Sequence, residues 1–460
     1  MTPVPFCLDV PEAVRPRLLY AAGELLRPLA AAPVAVARGD LPAAGVYVGA
    51  APEGAPEGSV RIRHRPETTE ALLAERAVPP EAAARSASGA AFPFPLGRGR
   101  RAMDLPAAPV AETDVLASAF WWLAGVQERA SPERDRYGRF PYAASMQHAT
   151  GRPLATPVDE LRLWLVGALA ARGLALPLRG WGGKPWAIAL THDLDATRTR
   201  RLRALAGDLA KGRLTRGLWR AVGPDARRES AEVLVHLARR RAVRSTLFAK
   251  AGASGPEDVR AEAERDGPWL AALAEDGFEV GLHPSMEASG DGARLAAERQ
   301  RLAEATGRTP AAVRSHYLRW DPAVTPALYA AEGFAVDSTL GWSAEVGFRR
   351  GTAHPFKLWD PAAGAPSALW EAPLALMDTT LFAHAGLSPE AAAARVDEAF
   401  AAARMAGGLA VVLWHNAMDD LGLWRERLDV LDHALGRARP NGAAVLTLGD
   451  ALAFARGRSS

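Results

Sequence analysis

A chain of 460 residues, 49% apolar and 23% charged, has material for two sizeable cores and none of the bias of a disordered, collagenous or membrane-embedded protein. A formal charge of only +3 gives no global electrostatic reason to bind a polyanion. The single cysteine, Cys7, excludes an internal disulfide framework and any cysteine-based zinc cluster, so a metal would have to be held by carboxylate, imidazole and water.

The opening MTPVPFCLDVPEAVRPRLL lacks the basic start and unbroken apolar segment of a secretory signal, and a soluble, cytoplasmic protein is expected. Up to residue 178 the chain mixes alanine-rich helical segments with one clear strand, GVYVGA at 45 to 50, followed by the turn-like APEGAPEG at 51 to 58. FWWLAGVQERASPERDRYGRFPYAAS (120 to 145) and the helical DELRLWLVGALAA (159 to 171) close this region. Arg172 interrupts the most apolar stretch well short of the roughly 18 to 20 residues that span a bilayer. The aperiodic PLRGWGGKP at 177 to 185 marks a boundary, giving an N-terminal α/β accessory domain over 1 to 178 and a second domain over 184 to 460.

Beyond the boundary, short β-type runs alternate with helices. The strands expected are WAIALTH (186 to 192), STLFAK (245 to 250), FEVGLH (278 to 283), AAVRSH (311 to 316), FAVDS (334 to 338), LWEAPL (369 to 374), LAVVLWH (409 to 415) and AAVLTL (443 to 448). Thr325 and Pro326 are expected to cap and start a helix ended by Gly333. Ser388 and Pro389 start a longer one ended by Gly407, and Leu428, Leu431 and Leu435 form a further apolar stripe. Eight strands with intervening helices predict a distorted or incomplete (β/α) barrel, with chemistry at the C-terminal strand ends. The arginine runs RTRRLR (198 to 203) and ARRRAVR (238 to 244) have no interleaved aromatics and read as solvated helix faces, so no nucleic-acid partner is expected.

Ionisable residues fall at those strand ends: Asp193 and Asp195 after the first, then His283, Arg314 with His316, Asp337 and His415. Concentrating desolvated charge there is costly unless the groups serve one another or a ligand. Residues two apart in an extended segment point the same way, so Asp193 and Asp195 can both face the rim while His192 points elsewhere. Two such carboxylates favour a cation between them, which would leave one available as a base. His283 is a ready ligand for a divalent ion, and Glu287 shares its face if PSME begins a helical turn; the alternative for Glu287 is a simple helix-start acid. Arg314 can hold Asp193 ionised. Tyr317 and Trp320 would contact a substrate, Trp414 or Trp342 would form a wall, and His415 is placed to act as a general acid.

In order, THDLD (191 to 195), HPSME (283 to 287), RSHY (314 to 317), DSTLGW (337 to 342) and LWH (413 to 415) resemble the five motifs of the NodB-like polysaccharide deacetylases, carbohydrate esterase family four, over about 185 to 450. The resemblance implies that Asp193 is the general base, Asp195 and His283 are metal ligands, Arg314 orients the base and His415 is the general acid. It also implies a Zn²⁺-like cofactor, an N-acetylated glycan or glycan precursor as substrate, and a backbone N–H near Tyr317 helping the metal to hold the developing negative charge. The wider phrasing, with YGRFP (137 to 141) and GFRRGT (347 to 352), resembles a subgroup found with exopolysaccharide biosynthesis, in which YGRFP belongs to an accessory domain packed on the barrel. The chain departs from the family at the second histidine of the second motif, where Glu287 stands. That leaves the third ligand open among Glu287, His316, His354 and His384. Two alternatives remain beside N-deacetylation: a glycan-binding module with a degenerate metal site, and a hydrolase of a non-sugar amide or imide on the same fold. Oligomeric state is not readable.

Overall fold

The computed structural model describes residues 1 to 457 apart from 81, 87 and 88, 94 to 112, 198 to 204, 207 and 208, 211, 213, 215 to 225, 256 and 257, 259 to 262, and 417 to 420. The arginine run at 198 to 203 lies outside the described residues. The second run is an ion-paired surface: Arg239 and Arg244 meet Asp276, and Arg240 and Arg241 meet Asp432.

The first region builds a four-stranded parallel sheet. Thr2–Asp9 (β1) lies between Ala31–Ala35 (β2) and Val46–Gly49 (β3), and Val60–Arg63 (β4) follows β3. Only β3 was expected. β1 carries Pro3 and Pro5, which argue against an inner strand because they lack the ladder N–H. The register resolves the conflict: β2 pairs residues Thr2 to Phe6 whereas β3 pairs only Phe6 to Asp9, so both prolines stand where β1 has a neighbour on one side alone. Ala84–Arg85 (β5) and Ala91–Phe92 (β6) form a small antiparallel pair.

The second region is a mixed α/β fold around a curled sheet of Trp186–Leu194 (β7), Thr246–Ala249 (β8), Glu279–Leu282 (β9), Ala312–Val313 (β10), Val336–Asp337 (β11), Phe356–Asp360 (β12), Ala365–Glu371 (β13), Leu374–Met377 (β14), Leu409–Leu413 (β15) and Ala443–Leu446 (β16). The order is β12-β13-β11-β10-β9-β8-β7-β15-β14, with β16 also on β7 and every pairing parallel except β12 with β13. β13 pairs with β11, and only Ala372 and Pro373 separate it from β14, which pairs with β15 on the far flank. That short connection draws the two ends of the sheet towards each other. The result is an incomplete (β/α) barrel.

All eight strands expected in this region occur, the fourth and fifth as two-residue ladders. β12 was missed, and so was β14 beyond Leu374, the last residue of LWEAPL. Ser388 caps Pro389–Ala406 by accepting the Ala391 N–H, and Gly407 ends that helix at φ +63°. Thr325 is not a cap: it is the first helical residue, and its hydroxyl donates to the Ser289 carbonyl while accepting the Asp321 N–H.

Buried ion pairs tie the first region to the sheet. Glu128 accepts from Arg349 at 2.9 and 2.8 Å and from Arg350 at 3.3 Å. Asp159 accepts from Arg162, the Thr352 hydroxyl and the Ala353 N–H. Gly125 is required there, since a Cβ would sit 1.2 Å from Arg350 Nη1 and its φ is +67°. Among the described residues no helix is long and apolar enough to cross a membrane.

Candidate active site

β7 is buried along its whole length and ends at Leu194, so Asp193 leaves the sheet within the strand and Asp195 just beyond it. Arg314, fully buried after β10, donates from Nη1 to Asp193 Oδ1 at 3.0 Å and to the Thr191 hydroxyl at 2.8 Å. Its remaining nitrogens donate to Ser338, Nε to the carbonyl at 2.7 Å and Nη2 to the hydroxyl at 2.9 Å. The guanidinium rests 4.5 Å over the Phe248 ring. Gly281 lets β9 close on that ring, because a Cβ there would stand 2.7 Å from it.

His283 follows β9. Its Nδ1 is 2.8 Å from the Arg314 carbonyl, which can only accept, so this nitrogen carries a proton and Nε2 is the ring atom left to face the carboxylates. Nε2 lies 3.1 Å from Asp195 Oδ1 and 3.9 Å from Asp193 Oδ2. On the other side, His316 Nε2 lies 3.3 Å from the same Asp195 oxygen. Asp195, His283 and His316 thus each offer one ligand atom, all within 4.8 Å of one another. One carboxylate oxygen between two imidazole nitrogens is a donor set suited to a Zn²⁺-like ion. Burial opposes ionisation of Asp195, but His316 and His283 outweigh it and hold its carboxyl well below the usual range.

His415, after β15, faces Asp193 from the opposite flank with Nε2 3.9 Å from Oδ2. Its Nδ1 lies 2.5 Å from Asp378 Oδ1, and its backbone N–H donates to Asp378 Oδ2 at 3.3 Å. Burial alone would depress its pKa; Asp378, then Asp195 and Asp193, push it up to about 10. The ring is therefore protonated at neutral pH. His192 points away, buried with Nδ1 on the Trp414 carbonyl, and burial lowers its pKa to about 4.

Glu287 does not join this cluster. Hydrogen bonds from the Ser285 and Met286 N–H groups to Glu298 and Asp258 pin the chain after His283, and the turn begins only at Ser285, closed by the Ala288 N–H on its carbonyl, so His283 is not part of a helical turn with Glu287. The Glu287 side chain is 54% exposed and faces Arg294. His354 is buried on the Ala406 carbonyl and stacked on Trp181, apart from the ligand group. His384 lies in the turn after β14, also outside that group.

The expected aromatic wall is not available. Trp320, Trp342 and Trp414 are 1%, 3% and 0% exposed and packed among other rings, because each lies on the core side of its segment. Tyr317 is different. It is half-buried beside His316, with ring centroids 4.5 Å apart, and has a left-handed φ of +58°. The YGRFP segment holds it there: the Tyr137 ring packs against it, tilted, at 4.6 Å between centroids, and Arg139 donates to its carbonyl at 2.6 Å. A non-glycine residue forced into this conformation at a functional site stores strain that its neighbours must sustain.

Three buried groups were not singled out from sequence. Asp378 obeys the strand-end rule at the close of β14, a strand of which the expected run reached only Leu374. Lys250 ends an expected strand but was passed over. Asp258 lies in an irregular loop that offered no periodic signal.

The site is thus the rim of an open α/β barrel carrying one carboxylate and two imidazoles that could hold a metal ion, with an adjoining Asp–Arg–His set. The chain is similar in fold to a candidate polysaccharide deacetylase of Mycobacterium smegmatis, with 21% identity and a TM-score of 0.43 over 60% of this chain and 91% of that one. It is similar to the PuuE allantoinase, with 15% identity and a TM-score of 0.44 over 62% and 95%. It is also similar to a family 4 carbohydrate esterase of Streptomyces lividans in complex with acetate, with 14% identity and a TM-score of 0.32 over 57% and 93%. Scans against protein-family profiles and curated sequences find no match.

Proposed function

We propose that the protein is a metal-dependent hydrolase that removes N-acetyl groups from an amino-sugar-containing glycan or glycan precursor, in the service of polysaccharide synthesis. The observation that carries this reading is the position of Asp193 Oδ2, 3.9 Å from His283 Nε2 on the ligand side and 3.9 Å from His415 Nε2 on the other. The ordered five-motif resemblance supports the sugar amide as substrate.

Asp195, His283 and His316 would hold the ion. When bound, it supplies Lewis acidity towards the acyl carbonyl and a water acidic enough to attack near neutral pH. Arg314 keeps Asp193 Oδ1 engaged, leaving Oδ2 to accept the proton of the attacking water. His415, protonated at both nitrogens and oriented by Asp378, donates from Nε2 to the departing amine. Tyr317, set by the YGRFP segment, flanks the ligand histidine and offers a ring edge to the sugar. The first region thereby contributes to the site as an accessory domain, with its boundary at 178 to 184.

The test is acetate release from N-acetylated oligosaccharides by zinc-loaded protein, run beside ring-opened product from cyclic amides and equilibrium glycan binding. Acetate release abolished by Asp193→Asn supports the proposal. Ring opening alone, or glycan binding with no turnover, replaces it with one of the two alternatives.

A further inference from the structure

We propose that Asp258, clamped in the loop after β8 and neutralised by Lys250, is the positioning residue that makes His316 the third ligand in place of a side chain at position 287. This rests on the metal-site reading above. The Asp258 and Lys250 side chains are 0% and 3% exposed. Asp258 Oδ2 is saturated by three donors, the Ser254 N–H at 3.0 Å, the Ser254 hydroxyl at 3.2 Å and the Met286 N–H at 2.9 Å. Only Oδ1 is left for the ring, and it lies 2.8 Å from His316 Nδ1 while also accepting from the Lys250 ammonium.

An Nδ1–H donated to Oδ1 puts the His316 lone pair on Nε2, the atom beside Asp195. The two imidazoles are then anchored alike from behind, His283 by the Arg314 carbonyl and His316 by the Asp258 carboxylate. Lys250 offsets the cost of burying that carboxylate. The same loop turns the alternative ligand away, since the Glu287 N–H donates to the Ser254 hydroxyl that also engages Asp258. A competing arrangement exists. Lys250 Nζ is 2.9 Å from His316 Nδ1, and if it donated to a bare Nδ1 the proton would sit on Nε2 and bar coordination.

The two arrangements are separated by titrating metal-free full-length protein with Zn²⁺ against a chromophoric chelator and recording the visible spectrum of the Co²⁺ form. We expect one ion per wild-type chain, about 10- to 100-fold weaker binding with altered Co²⁺ bands in Asp258→Asn, at least as large a loss in His316→Ala, and no change in Glu287→Gln. If Asp258→Asn matches wild type in affinity and spectrum while wild type binds one ion, the positioning role is wrong and the metal site stands. If wild type binds no ion, the site reading falls and takes this one with it. Should Asp258→Asn fail to fold, 15N shifts of histidine-labelled, zinc-loaded wild type decide the matter, with His316 assigned by its loss in His316→Ala. A protonated Nδ1 with a metal-shifted Nε2 upholds the proposal, and a bare Nδ1 overturns it.

Discussion

Two clusters of buried charge invite comparison, the strand-end group around Asp193 and the seam around Glu128. In the seam the carboxylates have no oxygen to spare: Glu128 is shared between Arg349 and Arg350, and Asp159 is consumed by Arg162, Thr352 and Ala353. At the strand ends saturation is deliberately partial. Asp193 Oδ2 and the Nε2 atoms of His283 and His415 converge on a shared space, and Asp195 and His415 remain 19% and 16% exposed. Burial and charge alone therefore do not mark chemistry. Unspent valence aimed at one point does.

The comparison can be broken at either cluster. The largest effect is expected at the strand ends, where Asp193→Asn and His415→Ala should each lower turnover in acetate release by about 10²- to 10⁴-fold while each chain still binds one ion. Asp378→Asn sharpens this. It removes the leading upward influence on His415, so the high-pH limb of kcat/KM should move down from about 10 towards the ordinary histidine range. In the seam, Glu128→Ala strands two buried guanidinium groups and should cost about 3 to 5 kcal/mol in denaturant unfolding, with metal affinity unchanged.

A third site gives a pH signature. Asp337 and Glu371 are cross-strand partners, both fully buried. Burial raises Asp337 to about 6, and burial with the Asp337 charge holds Glu371 well above its usual range. Because the folded pKa is the higher one, the stabilisation is complete below the unfolded value near 4 and is lost as pH rises through about 6. Asp337→Asn should flatten the decline in unfolding free energy between pH 4 and pH 8, on the order of 3 kcal/mol for two pKa units. The smallest effect is expected of Glu287→Gln, whose exposed side chain should change stability and zinc affinity by less than about 0.5 kcal/mol.

Much of this was legible in the chain. Strand ends at Asp193, His283, Arg314 and His415 follow from apolar runs that stop at a polar residue, a pattern independent of what packs around it. Prolines hid β1, whose one-sided register no local rule foresees. The tryptophans misled because a large ring near a site is as useful to the core as to a ligand, and only packing decides which.

Local pattern thus determined the α/β layering, the curled sheet and the set of polar residues at its rim, because hydrophobic periodicity and turn chemistry act over a few neighbours. Tertiary structure alone decided that His316 rather than Glu287 lies beside Asp195, that Asp378 backs His415, and that Asp258 and Lys250 stand behind His316. Those choices depend on hydrogen bonds between segments far apart in the chain. A loop hydroxyl such as that of Ser254, accepting from the Glu287 N–H and donating to Asp258, can turn one side chain outward and anchor another only after the strands have brought it there.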